Sequence, residues 1–131
     1  MSDLIKSHQP DFIDVIHSKK SLDLPKPFSR EIFLFHTHVA GTGYVDNIKE
    51  LEPELTSDIK LNFFREPQNE FDPQAIMIKT ESGNKIGYIP KSDNIIFSRL
   101  MDAGKLLFGR ITSVKKHEDW LKIEIDVLLQ E

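Results

Sequence analysis

The sequence contains no cysteine among its 131 residues. The absence of thiols excludes a disulfide framework, a cysteine nucleophile and any zinc or iron–sulfur site with cysteine ligands. Long apolar runs are also missing, and the first ten residues lack the basic and apolar regions of a secretory signal. We therefore expect a soluble, cytoplasmic protein whose fold is held by packing alone, because a chain of this length buries about two-thirds of its unfolded surface.

An overall excess of positive charge is missing as well, because the formal net charge is −4. Generic binding to phosphate depends on clustered Lys and Arg, so the overall charge argues against it. The charge is unevenly distributed, however, since residues 85–116 hold seven basic and two acidic side chains. This local surplus is informative only if a ligand site lies beside it.

Composition divides the chain into two parts. Residues 1–30 hold three of the seven prolines and one amphipathic stretch, residues 11–16, which Pro10 precedes. We interpret them as an N-terminal arm with a short helix, whose apolar side chains pack on the domain, on a second copy or on a partner protein. Residues 31–131 are expected to form one domain.

Short alternating segments follow one another through this domain and predict β-strands. The last is the clearest, because Leu121, Ile123, Ile125 and Val127 alternate mainly with charged residues, as in an antiparallel strand with one buried face. The predicted strands cover residues 32–39, 58–64, 75–78, 85–89, 106–114 and 121–129.

Two short helices are predicted between the strands, at residues 47–51 and 94–102. Capping residues precede them and helix-ending residues follow: Asp46 or Asn47 with Pro53 for the first, and Ser92 or Asp93 with Gly104 for the second. The pattern indicates an all-β fold with two short helices, a small OB-like or SH3-like antiparallel β-barrel, because closure removes the edges of a small sheet. A flattened sandwich is the alternative.

The segment R-E-P-Q-N-E-F-D-P-Q-A-I-M-I, residues 65–78, interrupts the strand pattern. Asn69 and Asp72 are of the types that hydrogen-bond their own following backbone, while Pro67 and Pro73 fix φ, so we predict a rigid, pre-formed loop. Asp72 followed by proline also fits a cap of a single turn, and turn statistics favour that role over a ligand-binding one.

The order F-H-T-H-V-A-G-T-G-Y, then R-E-P-Q-N-E-F-D-P-Q-A-I, then K-I-G-Y-I-P-K before a helix resembles the HIRAN domain over residues 32–131. This module occurs in Swi/Snf-type fork-remodelling ATPases and as small stand-alone bacterial proteins. The resemblance implies a barrel related to the OB fold that binds single-stranded DNA, with capture of a 3′ end in eukaryotic members. A helicase or nuclease is the candidate partner protein for the N-terminal arm.

Site residues follow from the same resemblance. It implies that Asp72 accepts a hydrogen bond from the terminal 3′-hydroxyl, that Asn69 holds the loop or touches the end nucleotide, and that Lys91 meets backbone phosphate. Such a combination is coherent, because a carboxylate tolerates a hydroxyl and repels a phosphate.

The resemblance also implies an aromatic surface. Phe71 and Tyr44 would stack on or flank the last bases, and Trp120 would supply a further wall. Three positions depart from the DNA-binding members: Gly43 stands where they carry a basic residue, Phe71 replaces a tyrosine, and Tyr88, which we also place in the site, stands where they have a histidine.

Other constellations are weaker. His36 and His38 share one face of a strand, but no third metal ligand lies at a recognisable spacing. Gly41 and Gly43 lack the remainder of a phosphate-binding loop and indicate a bulge. We therefore expect no cofactor and no metal.

The serines and carboxylates show no arrangement typical of an enzyme. The alternative functions are a protein-interaction module and, more distantly, a metal-dependent nuclease using Glu66, Glu70 and Asp72.

Overall fold

A computed structural model describes residues 29–131. Its elements are strands β1 (Glu31–His38), β2 (Lys60–Arg65), β3 (Ile76–Thr80), β4 (Lys85–Tyr88), β5 (Leu106–Lys116) and β6 (Leu121–Gln130), helix α1 (Asn94–Asp102), and two 3-10 helices, Thr42–Tyr44 and Ile48–Glu54. The predicted strands are confirmed with small shifts at their ends. Nearly all of the predicted N-terminal arm lies outside the described residues.

The six strands form one antiparallel sheet in the order β1-β6-β5-β2-β3-β4. The sheet curls so that its two edge strands meet at one point, where Ala40 and Tyr88 form an isolated bridge with N···O distances of 2.7 and 2.9 Å. Gly87 permits this approach, because it adopts φ 153° and a Cβ there would lie 2.4 Å from the Ala40 carbonyl oxygen. The architecture is the predicted small OB-like fold.

Alternation along the strands separates an inner from an outer face. On β6, Leu121, Ile123, Ile125 and Val127 are fully buried, as predicted, and they pack with inner residues of β2 and β3 in one hydrophobic cluster. Burial of this apolar surface is the main stabilising contribution. The opposite side chains of β2, among them Lys60 and Phe64, point to the outer face.

The first predicted helix differs from expectation in type and length. Residues Ile48–Glu54 form a 3-10 helix that contains Pro53 instead of ending before it. Asn47 precedes it in the left-handed conformation, with φ 62°, and makes no capping hydrogen bond through its side chain. The cap-forming residues therefore predicted the position of this element but not its type.

Helix α1 has the predicted bounds, but the predicted cap is wrong. Asp93 makes no side-chain hydrogen bond to the first turn. Its Oδ2 instead accepts a hydrogen bond of 2.7 Å from Thr37 Oγ1, which joins the start of α1 to β1. The buried side of α1 carries Phe97 and Ser98, whereas Ile96 is 65% exposed.

Candidate nucleic-acid interface

A groove of about 820 Å³ lies between the loop after β2, the end of β4 and the 3-10 turn after β1. Six of the seven side chains predicted from the sequence line it: Tyr44, Asn69, Phe71, Asp72, Tyr88 and Lys91. The fold therefore brings together residues that lie up to 47 positions apart, counted from Tyr44 to Lys91.

Asn69 organises the loop. Its Oδ1 accepts hydrogen bonds from the backbone N–H of Phe71 at 2.8 Å and of Asp72 at 3.0 Å, while its Nδ2 donates to Glu66 Oε1 at 2.9 Å. These contacts are the local bonds that an Asn in a turn favours. They hold the segment in a conformation in which the Phe71 ring is 88% exposed beside the groove.

Arg65 anchors the return of the loop. Its guanidinium donates to the carbonyl oxygens of Ala75 at 2.8 Å and Pro73 at 3.1 Å, and it forms a two-point contact with Asp102 at 2.8 and 3.1 Å. The planar guanidinium suits such paired acceptors. Loop and helix α1 are thus tied together at the end of the groove.

Asp72 has the turn-capping role that turn statistics favoured, and its second oxygen is bonded from helix α1. Its Oδ1 accepts a hydrogen bond from the Gln74 N–H at 2.9 Å, which is the turn-capping role, and its Oδ2 accepts one from Asn94 Nδ2 at 2.8 Å. The Asn94 bond, followed by that from Gln74 and the charges of Lys91 and Arg65, outweighs burial and lowers the pKa of Asp72. A carboxylate offers about four acceptor positions, so an ionised Asp72 keeps acceptor capacity toward the groove.

Tyr88 and Lys85 form one wall of the groove. The Tyr88 hydroxyl donates to Glu66 Oε1 at 2.8 Å, and Lys85 Nζ lies 3.2 Å from that hydroxyl and 4.6 Å from the ring centroid. Burial raises the pKa of Glu66. The hydrogen bonds from Asn69 and Tyr88 and the charges of Lys85 and Lys79 together outweigh burial, so the pKa lies below its ordinary value. This wall is cationic and pre-formed.

Trp120 is the predicted residue that does not line this groove. It lies in an adjoining groove of about 650 Å³, 42% exposed, and stacks on His117 with ring centroids 4.4 Å apart and planes 11° apart. Tyr44, which is 94% exposed, borders both grooves. The three aromatic side chains therefore follow one another along the surface, from Phe71 through Tyr44 to Trp120.

Lys85 and Asn94 also line the groove, and Glu66 supports two of its lining residues, although none of the three was predicted in these roles. Lys85 belonged to a predicted strand, and its pattern carried no ligand signal. Asn94 was identified only as the first residue of a helix, although it is buried and directed at Asp72. Glu66 supports Asn69 and Tyr88, and is not part of an acidic metal site.

The two predicted strand histidines have different surroundings. His36 Nδ1 lies 2.8 Å from Asp126 Oδ1 and its Nε2 lies 2.9 Å from Glu124 Oε1, whereas His38 borders the adjoining groove. Across residues 29–131, no group of three or more His, Asp or Glu side chains is placed to hold a metal ion. In the same range no helix is long and apolar enough to cross a membrane.

The fold and groove define a small OB-like module with an aromatic and cationic groove. Residues 32–131 match the HIRAN domain family, and the chain belongs to this family. Membership supports a general role as a DNA-binding module, and modules of this family are generally non-catalytic.

Two solved structures are similar. A protein from Lactobacillus plantarum has a TM-score of 0.68 and 29% identity, over 77% of this chain and 98% of that chain. The HIRAN domain of human HLTF has a TM-score of 0.58 and 17% identity, over 77% of this chain and 81% of that chain, and here the likeness concerns the fold alone. The comparison with curated proteins gives no match.

Proposed function

We propose that this module binds single-stranded DNA without catalysing a reaction and holds a 3′-hydroxyl end in the groove beside Asp72. The observation that carries the proposal is the convergence of an exposed ring, Phe71, a carboxylate with a lowered pKa, Asp72, and a cation, Lys91, in one groove. An unpaired strand end offers the matching groups, namely a base face, a hydroxyl and a phosphate.

Each group has a defined task in this proposal. The Phe71 ring stacks on the last base, and such stacking contributes about 1 to 3 kcal/mol per base. Lys91 and Lys85 attract backbone phosphates, and each contact adds salt-dependent affinity. Asp72 accepts a hydrogen bond from the 3′-hydroxyl and repels an anion in the same place. Asn69, which is occupied by the loop, acts by positioning Phe71 and Asp72.

Stacking continues from the end site in the same proposal. Tyr44 borders both grooves, so a base next to the terminal one can lie against its exposed ring. Trp120 is available to bases beyond it. Tyr88 serves mainly as a wall, because its hydroxyl is already bonded to Glu66.

Fluorescence anisotropy with a 5′-labelled deoxythymidine oligonucleotide ending in a 3′-hydroxyl tests this function at low salt. We expect saturable binding that weakens about 5- to 150-fold in Phe71→Ala, which corresponds to loss of one stacked base. Phe33→Ala is the matched control, because Phe33 is 58% exposed and lies on β1 away from the groove. Absence of saturable binding by the unaltered protein, or equal loss in both variants, would contradict the proposal.

A further inference from the structure

The outer face of the sheet carries a row of cations that the groove does not require. In the strand register Lys60 on β2 lies opposite Arg110 on β5, and Lys79 on β3 lies opposite Lys85 on β4. Lys60 and Asn62 lie on the same face of β2, and Asn62 pairs with Lys79. Because paired residues share a face, all four cations lie on the same side of the sheet. Two like-charged cross-strand pairs therefore occupy neighbouring positions.

Like charges directly opposite each other destabilise a sheet. Arg110 is offset by Glu31, with an Nη2···Oε2 distance of 2.8 Å. Lys60, Lys79 and Lys85 form no salt bridge with a carboxylate of the described residues. Glu66 interacts with the charges of Lys79 and Lys85 without forming a salt bridge with them, so the positive charge of this face is only partly offset.

Aromatic rings lie beneath these cations. Lys79 Nζ is 5.4 Å from the centroid of Phe64, and Lys60 Nζ is 5.1 Å from that of Phe108. Such contacts are attractive, but the rings are neutral and leave the charge unbalanced. Phe64 is 44% exposed, so its ring is also accessible to a flat ligand.

The cations are continuous with the groove. Lys85 and Tyr88 line it, and they lie opposite Lys79 and Met77 of β3 on the outer face. On the far side of β5 the charge changes sign, since Asp126 and Glu124 of β6 bind His36. The basic strip therefore runs from the groove across β3 and β2 and ends at β5.

We propose that this strip, formed by Lys79, Phe64, Lys60 and the neighbouring Arg110, binds the DNA strand as it leaves the groove. This inference rests on the proposed function. Lys79 and Lys60 contact phosphates, and Phe64, which lies across Met77 from Tyr88, stacks on a base on the groove side of Lys79. Three strand spacings separate β4 from β5, about 14 Å, so the strip extends over more than one nucleotide beyond the groove.

Oligonucleotide length separates the strip from the groove. The probes are deoxythymidine tetramers and dodecamers with 3′-hydroxyl ends, measured by anisotropy at 0.1 M salt. We expect the dodecamer to bind the unaltered protein more tightly, and the double variant Lys60→Gln/Lys79→Gln to lose up to about 25-fold in dodecamer affinity, about 5-fold per phosphate contact. Its tetramer affinity stays unchanged, which also reports that the variant is folded.

The control is Arg99→Gln/Lys105→Gln, which removes the same charge from exposed positions on and just after α1. It should leave both affinities nearly unchanged. Equal affinity of the unaltered protein for tetramer and dodecamer would contradict DNA binding by the strip without contradicting binding in the groove. An equal loss of dodecamer affinity in the control variant would have the same meaning. Failure of both probes to bind would overturn the proposed function itself.

Discussion

Asn94 Nδ2 donates a hydrogen bond of 2.8 Å to Asp72 Oδ2 and thereby fixes the groove carboxylate from helix α1. Asn94 is only 3% exposed, so the bond is shielded on the helix side. The helix is itself tied down, because Ser98 Oγ bonds Gln74 Oε1 at 2.5 Å and Asp93 accepts from Thr37. The orientation of Asp72 therefore depends on the packing of the whole domain.

Asn94→Ala should lower the free energy of unfolding by about 1 to 3 kcal/mol, because it removes a hydrogen bond to a charged group. The pKa of Asp72 should rise toward its ordinary value. A carboxyl with a lowered pKa stabilises the fold above its unfolded pKa of about 3.9 and loses that contribution as the pH falls through the folded value. The stability difference between protein and variant should thus narrow below about pH 3.9.

Chemical denaturation at several pH values and an NMR titration of the Asp72 carboxyl measure these effects. Asn62→Ala is the control, since Asn62 is half-buried on the outer face and its side chain makes no hydrogen bond within residues 29–131. An unchanged Asp72 pKa in Asn94→Ala would contradict the assigned role.

His36 should make stability depend on pH near neutrality. Hydrogen bonds to Asp126 and then Glu124 raise its pKa above 6.5. The contribution is complete below about pH 6.5 and is lost as the pH rises through the folded value. The difference in thermal midpoint between the protein and His36→Gln should be largest near pH 6 and shrink as the pH rises above that value; it should be small, because the side chain is 47% exposed.

His38→Gln provides the matched comparison for that experiment. His38 lies on the same strand but forms no ion pair with the β6 carboxylates in the described part of the chain. A pH-independent difference for His36→Gln would show that the two carboxylates do not hold the imidazolium.

Gly43→Lys should strengthen DNA binding. A Cβ at this position would meet only the Trp120 Cβ, at the ordinary distance of 3.7 Å, so the adjoining groove has room for a side chain to begin there. One added phosphate contact should raise affinity about 5-fold at 0.1 M salt and steepen the salt dependence by about 0.7. Gly43→Gln adds similar bulk without charge, and an equal gain in both variants would rule out a phosphate contact.

The sequence predicted the strands well because a period of two is a local property that a one-sided sheet imposes on each strand separately. The bounds of α1 were also predicted from local sequence signals. The prediction that Asp93 caps α1 was wrong because its carboxylate accepts a hydrogen bond from Thr37, which lies 56 residues away in the sequence. Cap-forming residues also cannot distinguish a 3-10 helix from an α-helix, which explains the segment around Pro53.

In the candidate site, too, features set by neighbouring residues could be predicted and features set by distant residues could not. The loop could be predicted from Asn69, Asp72 and the prolines, because their turn chemistry acts within a few residues. Tyr88 was placed in the site by the family resemblance, but the hydrogen bonds that Asn94 and Tyr88 make with the loop could not be predicted, since each joins residues 22 positions apart. The location of Trp120 in an adjoining groove likewise depends on how β6 follows its turn, which no local pattern specifies.

The most direct measurement compares two oligonucleotides that differ only at their ends, one with a 3′-hydroxyl and one with a 3′-phosphate. We expect the hydroxyl end to bind at least about tenfold more tightly, a difference of about 1.4 kcal/mol, and Asp72→Asn to remove most of this preference by abolishing the repulsion of the phosphate. Equal affinity of the unaltered protein for the two ends would contradict 3′-end capture by Asp72.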